Sequence, residues 1–252
     1  ALFFAFSALF CCRVSGQTLS FEPAVNYPVS SSSCDHVAVG DMNGDGLNDV
    51  IAVTGYPSYS LLVFTQNAAG GLDSAVSYSY PLVYPGARAV TAGDVTGDGK
   101  TDIIICLGDS AIIFERASSG IAKTGSFVCA PGKNVDAMKI ADVDRDGKTD
   151  IVTVSWFGSV VVLYGTATGF VRHEYAEAVG SGYDDIEVAD MGSGLVSIFQ
   201  MGGQSHAPIA ELRIRADRSV DTVVTLTLAG VDNMHGVAVG NFFGEGLRMA
   251  AS

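Results

Sequence analysis

Apolar runs broken by glycine-rich polar turns fill most of the chain, and no stretch carries the three-and-four spacing of an amphipathic helix. Four kinds of run recur in a fixed order. The first alternates apolar with small or polar residues and ends on Gly or Ala, as in Val37-Ala38-Val39-Gly40 and Met138-Lys139-Ile140-Ala141. An acidic turn follows, then a β-branched run without alternation: VIAV from Val50, IIIC from Ile103 and IVTV from Ile151. A third run comes after a short turn, as LLVF from Leu61, AIIF from Ala111, VVVLY from Val160 and IAELRI from Ile209. A Gly- or Ser-containing turn then leads to a fourth, such as AVSYSY from Ala75 and VVTLTL from Val223. Each unit is therefore predicted to be four antiparallel strands, and the fold all-β.

The acidic turns set the period. Five segments align on Asp41, Asp94, Asp142, Asp190 and Asn241, at separations of 53, 48, 48 and 51 residues. Four-stranded units of about 50 residues are blades of a β-propeller. LSFEPAVNYPV, from Leu19, reads as an orphan fourth strand that would complete the last blade and close a ring without free edges. The chain reaches only the second strand of its fifth unit at Ser252, so four to five blades are expected here, with more sequence beyond.

Three of the turns are rich in carboxylates. Positions 1, 3, 5 and 9 are Asp41, Asn43, Asp45 and Asp49 in the first; Asp94, Thr96, Asp98 and Asp102 in the second; and Asp142, Asp144, Asp146 and Asp150 in the third. Position 6 is glycine each time, which permits a sharp turn, and position 7 (Leu47, Lys100, Lys148) can offer only its backbone carbonyl in common. An all-oxygen shell of six or seven ligands suits a hard cation, Ca²⁺ before Mg²⁺. Three bound Ca²⁺ would bring the net charge from −13 to −7, and the third loop, with four carboxylates, should bind most tightly. The remaining two units act as internal controls. Asp190-Met191-Gly192-Ser193-Gly194 is shortened, and Asn241, Phe243, Glu245 and Met249 keep the loop length without its chemistry. An EF-hand is excluded because position 12 holds Ala52, Ile105 and Thr153, where a bidentate Glu is needed.

The signature D-x-[DN]-x-D-G-x-x-D between two short strands, repeated about every 50 residues, resembles the FG-GAP/VCBS repeats of integrin α-subunit-like β-propellers. The resemblance covers residues 19 to 252 and is sharpest in the first three units. It implies a ring that is usually seven-bladed, calcium in the loops between first and second strands, and ligand recognition by other loops.

Composition narrows the function classes. A net charge of −13 excludes sequence-independent nucleic-acid binding, which needs a basic surface, and makes an anionic membrane an improbable partner. ALFFAFSALF at the start suits the apolar region of a secretory signal, giving residues 1–16 as a leader incomplete at its start and 17–252 as the propeller. No later run is long enough to span a bilayer, so a secreted or cell-surface protein is expected. Cys11 and Cys12 leave with the leader; Cys106 reads as a buried apolar residue, and Cys34 and Cys129 are candidates for a disulfide.

Strand direction places the acidic loops on one face of the disc. The other face collects the second-to-third turns and the blade connections, and with them Tyr56, Tyr59, Tyr84, Arg88, Lys133, Asn134, Trp156, Phe157 and Tyr183. Aromatic rings with a few polar neighbours suit recognition of a protein or glycan partner. No HExxH, GxSxG or phosphate loop is present. The expectation is therefore a calcium-stabilised binding or adhesion module without a catalytic site. The alternative is the propeller part of an extracellular polysaccharide-active hydrolase or lyase.

Overall fold

The computed structural model describes residues 23–29, 34–81, 86–117, 120–155, 159–175, 183–192, 194–202, 209–226, 237–240 and 248–251. The expected leader, Tyr84, Trp156, Phe157 and the fifth acidic-loop remnant around Asn241 lie outside them. Among the described residues the regular elements are strands, eighteen in number.

The first blade is β1 (His36–Gly40), β2 (Asp49–Val53), β3 (Ser60–Phe64) and β4 (Val76–Ser79). The second is β5 (Ala89–Gly93), β6 (Asp102–Leu107), β7 (Ser110–Ala117) and β8 (Gly120–Val128), and the third β9 (Val135–Ala141), β10 (Asp150–Ser155), β11 (Val160–Thr166) and β12 (Gly169–Tyr175). The fourth is β13 (Tyr183–Asp190), β14 (Leu195–Gly202), β15 (Ile209–Arg215) and β16 (Val220–Leu226), followed by the pair β17 (Val237–Gly240) and β18 (Arg248–Ala251). Within each sheet the strands lie antiparallel in chain order. The first strands touch one another in the series β1, β5, β9, β13, β17 and form the inner rim of a β-propeller.

The uninterrupted apolar runs now have a cause. Neighbouring side chains on a strand point to opposite faces, and in a propeller both faces of a blade are covered. Thus Ile103 and Ile105 pack with Ile51, Val53, Leu61 and Val63 of the first blade. Ile104 and Cys106, which alternate with them along the strand, pack with Met138, Ile151, Val161 and Leu163 of the third. The third and fourth blades meet through Val152, Val154, Val162 and Tyr164 against Ile186, Ile198 and Ile214. Outer strands lack this double burial: β8 and β12 are largely exposed and polar.

Glycine ends the inner strands because they crowd together there. A Cβ on Gly40 would stand 2.9 Å from Thr101 Cγ2 and 3.1 Å from Ala92 Cβ, and one on Gly93 3.2 Å from Ile140 Cδ1.

The N-terminal segment departs from expectation. Residues 23–29 form no strand; Tyr27 and Val29 instead lie on the outer face of the first blade, against Ala52, Leu62 and Phe64. Pro23 and Pro28 remove two of the amides that a ladder would need, and the Tyr27 hydroxyl accepts a hydrogen bond from Leu72 N at 3.1 Å. The candidate Cys34–Cys129 pairing is not formed. All three described cysteines are free thiols, and Cys129 faces Cys106.

Candidate metal centre and opposite face

Each acidic loop is closed by the same strand pair, Gly40 opposite Asp49, Gly93 opposite Asp102 and Ala141 opposite Asp150. Position 9 is thereby the first residue of the second strand, and all three of these aspartates are fully buried. Asp49 accepts Met42 N and Gln66 N, both at 2.8 Å. Asp150 repeats the arrangement, accepting Val143 N at 2.7 Å and Gly165 N at 2.8 Å. A Cβ on Gly165 would lie 2.4 Å from Thr149 O, so glycine is what lets β11 come this close. Asp102 accepts Val95 N and Thr96 N, each at 3.1 Å, through Oδ2, while its buried Oδ1 has no hydrogen-bond partner among the described residues. Burial pushes Asp150 up to about 6 and moves Asp102 in the same direction.

Position 1 organises the loop. Asp41 accepts Gly44 N at 2.5 Å, Asp45 N at 3.2 Å and Gly46 N at 2.9 Å; Asp94 accepts Gly97 N, Asp98 N and Gly99 N at 2.7, 3.1 and 2.8 Å. Asp142 holds Asp146 N at 3.1 Å and Gly147 N at 3.0 Å. Desolvation raises the Asp41 pKa, but the amides of Gly46, Gly44 and Asp45 outweigh it and leave the carboxyl below its ordinary value. The curl requires left-handed backbone at positions 4 and 6: φ is 81° and 83° at Gly44 and Gly46, 78° and 79° at Gly97 and Gly99. The third loop has Arg145 at position 4, with φ 60°, and its side chain reaches Asp190 of the fourth blade at 2.5 Å.

In the third loop, carboxylate oxygens of Asp142, Asp144 and Asp146 all lie within 4.8 Å of one another. Three converging carboxylates, with Asp144 buried, are a donor set that fits a hard divalent cation. Asn43 and Thr96 replace the middle carboxylate in the other two loops. The unpartnered Asp102 oxygen is a second feature that a cation would satisfy. Lys100 and Lys148 turn their side chains back to Asp98 and Asp146. These hydrogen bonds lower both aspartate pKa values.

Sequence spacing missed Arg218, which lies 74 positions from Asp144 in the turn between β15 and β16. Its Nε donates to Asp144 Oδ2 at 2.8 Å, and its guanidinium lies 4.1 Å from the centre of the Tyr164 ring. Its backbone carbonyl accepts the Tyr175 hydroxyl at 2.9 Å, and Tyr175 is in turn hydrogen-bonded to Tyr164. The first loop has a counterpart, since a Cβ on Gly44 would meet Arg116 Nη1 at 2.1 Å. In both cases the following blade brings an arginine to the acidic turn. A guanidinium from the next blade thus stands beside the four-carboxylate loop as well as beside the first.

On the opposite face the predicted residues divide. Tyr56 is 72% exposed and Asn134 is exposed. Tyr59 is buried, with φ 43°, and packs edge-on to Tyr56 and Tyr80 at ring separations of 6.4 and 6.3 Å. Arg88 donates its Nε to buried Asp136 at 2.7 Å, and Lys133 bonds Ser159 Oγ at 2.8 Å and Glu174. Both cations therefore tie structure together. Tyr183 opens β13, but its side chain lies outside the description. Between the inner strands a cavity of about 250 Å³ is lined by His36, Lys139, Asp136 and Asp185, among others.

Acidic turns of one geometry on adjoining four-stranded blades define a β-propeller with a repeated acidic loop. The family model for the FG-GAP-like repeat matches residues 41–105, which hold the first two loops. Integrin alpha-V of Gallus gallus is 28% identical over 160 residues, covering 53% of this chain and 15% of that protein. Among solved structures, a protein described as a candidate 6-phosphogluconolactonase of Bacteroides fragilis aligns with TM-score 0.57 and 16% identity, over 80% of this chain and 59% of that one. BBS1N in complex with ARL6DN aligns with TM-score 0.55 and 14% identity, over 78% and 55% respectively. At such identities the structural matches speak for the fold alone. Over residues 41–105 this chain matches the FG-GAP-like repeat, and its propeller is similar in sequence to part of an integrin α chain. It spans well under two thirds of the length of the proteins it matches.

Proposed function

We propose that the protein is a secreted or cell-surface binding module in which Ca²⁺, held by the three acidic loops, is structural and the opposite face receives a protein or glycan. The observation that carries the reading is the convergence of Asp142, Asp144 and Asp146 oxygens within a turn geometry that two other loops repeat. Ligands would come from Asp41, Asn43, Asp45 and Asp49, from Asp94, Thr96, Asp98 and Asp102, and from Asp142, Asp144, Asp146 and Asp150. The carbonyls of Leu47, Lys100 and Lys148 would add to them. The cation would neutralise each turn and hold the first and second strands of its blade in register.

The likeness to an integrin α chain supports a non-enzymatic binding role outside the cell. No described helix is long and apolar enough to cross a membrane. Tyr56 and Asn134 are the exposed members of the recognition face whose side chains are described, and they are the contact residues of choice.

The test is binding of the full chain to a panel of extracellular-matrix proteins and to a glycan array, in Ca²⁺ and in EGTA. Binding is expected in Ca²⁺ and should weaken about tenfold in Tyr56→Ala and Asn134→Ala, with Tm unchanged. Turnover of an acidic polysaccharide would overturn the non-enzymatic reading.

A further inference from the structure

Cys106 and Cys129 are both fully buried, and their sulfurs lie 3.3 Å apart although the residues are 23 positions apart in sequence. Cys106 is in β6, where its cross-strand partners are Ala89 on β5 and Ala111 on β7. Both neighbours are small and leave the sulfur room to turn. Cys129 follows β8 directly, and its thiol points back to the β6–β7 turn, donating to Asp109 O at 3.1 Å. The Cys106 thiol points into the same turn, 3.3 Å from Ser110 O. A further approach of about 1.2 Å would bring the sulfurs to the roughly 2.05 Å of a disulfide.

We propose that Cys106 and Cys129 form a disulfide that ties the second strand of the second blade to the end of its outermost strand. Cys34 stays outside it, lining an apolar cleft with Tyr27, Val29 and Phe64 on the far side of the first blade. The bond needs an oxidising compartment and so rests on the extracellular reading above.

The oxidant is a thiol–disulfide exchange partner, such as oxidised glutathione or an oxidoreductase disulfide. One protein thiolate attacks a sulfur of the oxidant, forming a mixed disulfide and releasing the other oxidant sulfur as a thiolate. The second protein thiolate then attacks the protein sulfur of that intermediate and expels the remaining oxidant sulfur. Two electrons pass to the oxidant, and two thiol protons end on its reduced thiols. Either protein thiolate can act first, because the exchange takes place before the pair is buried. Exchange must precede closure of the third blade over this pair, because Met138, Ile151 and Leu163 bury it.

Peptide mapping tests the proposal. The full chain, recovered from a secreting host and alkylated without reduction, should yield one linked pair of peptides carrying Cys106 and Cys129, lighter by two hydrogens, with Cys34 alkylated. The chain refolded in a glutathione redox buffer should give the same link, so failure of export, which bears on the extracellular reading, is separable from failure of the bond. Alkylation of all three thiols in the refolded chain, or a link to Cys34, overturns the proposal. Reductant should lower the wild-type Tm by about 5–10 °C, leave Cys106→Ala/Cys129→Ala unmoved, and act on Cys34→Ser as on wild type. A wild-type Tm indifferent to reductant would also overturn it.

Discussion

Arg218 of the fourth blade grips Asp144 of the third, with Nη2 2.7 Å from the carboxylate and the Tyr164 ring beneath the guanidinium. This contact makes the third acidic loop half of an inter-blade joint, and it sets the first prediction. Arg218→Gln should raise the affinity of that loop for Ca²⁺ about threefold, because one opposing charge leaves the shell. It should also lower the Tm measured in EGTA. Calorimetric titration with a parallel melting curve reads both effects; an unchanged affinity would mean that the guanidinium does not oppose the ion.

Calcium should raise Tm reversibly, and EGTA should reverse the gain. Asp146→Ala should lower the calcium-bound Tm more than Glu245→Ala, since Glu245 belongs to a loop without the ligand pattern. Equal losses in the two variants, read by differential scanning fluorimetry, would count against a cation in the third loop.

Arg88→Ala strips the partner from Asp136, whose side chain is only 6% exposed. Breaking a buried pair on one side costs about 3–5 kcal/mol. Arg88 itself is 36% exposed, so a loss of about 2–3 kcal/mol is expected in chemical denaturation. Arg88→Met with Asp136→Leu should recover most of it, because no lone charge is then left buried.

His36 carries the clearest pH dependence. Burial lowers its pKa from 6.5, against the raising effect of Asp35 and Asp136, with Arg88 adding to the lowering. The fold therefore favours the neutral imidazole. Its contribution is present above pH 6.5 and is lost as pH falls through the depressed folded value, because the unfolded chain takes up the proton first. His36→Gln should flatten that part of the stability curve, and comparison of denaturation midpoints across the range checks it.

The blades and acidic turns were legible in the sequence because both are local: strand character lies in adjacent side chains, and a turn fixes its own ligands within nine residues. Relations between blades were not. Arg218 gives no sign in its own turn that it belongs to Asp144. Tyr59 reads like its neighbour Tyr56, yet a left-handed backbone turns it inward against Tyr80. Arg88 and Lys133 look like free cations until the third blade supplies Asp136 and Glu174. Residues 23–29 have an apolar pattern suited to a strand, but two prolines remove its donors.

The charged contacts between adjoining blades fall nearly one repeat apart, Arg88 to Asp136 and Lys139 to Glu187 at 48 positions and Arg145 to Asp190 at 45. The third unit holds both kinds of half, receiving through Asp136 and giving through Lys139 and Arg145. Because partners one repeat apart occupy equivalent positions, an exact tandem copy of that stretch would set Lys139 against a second Lys139 and Asp136 against a second Asp136. Lengthening such an array therefore takes a reversal of charge at one of each pair of seats as well as a copy.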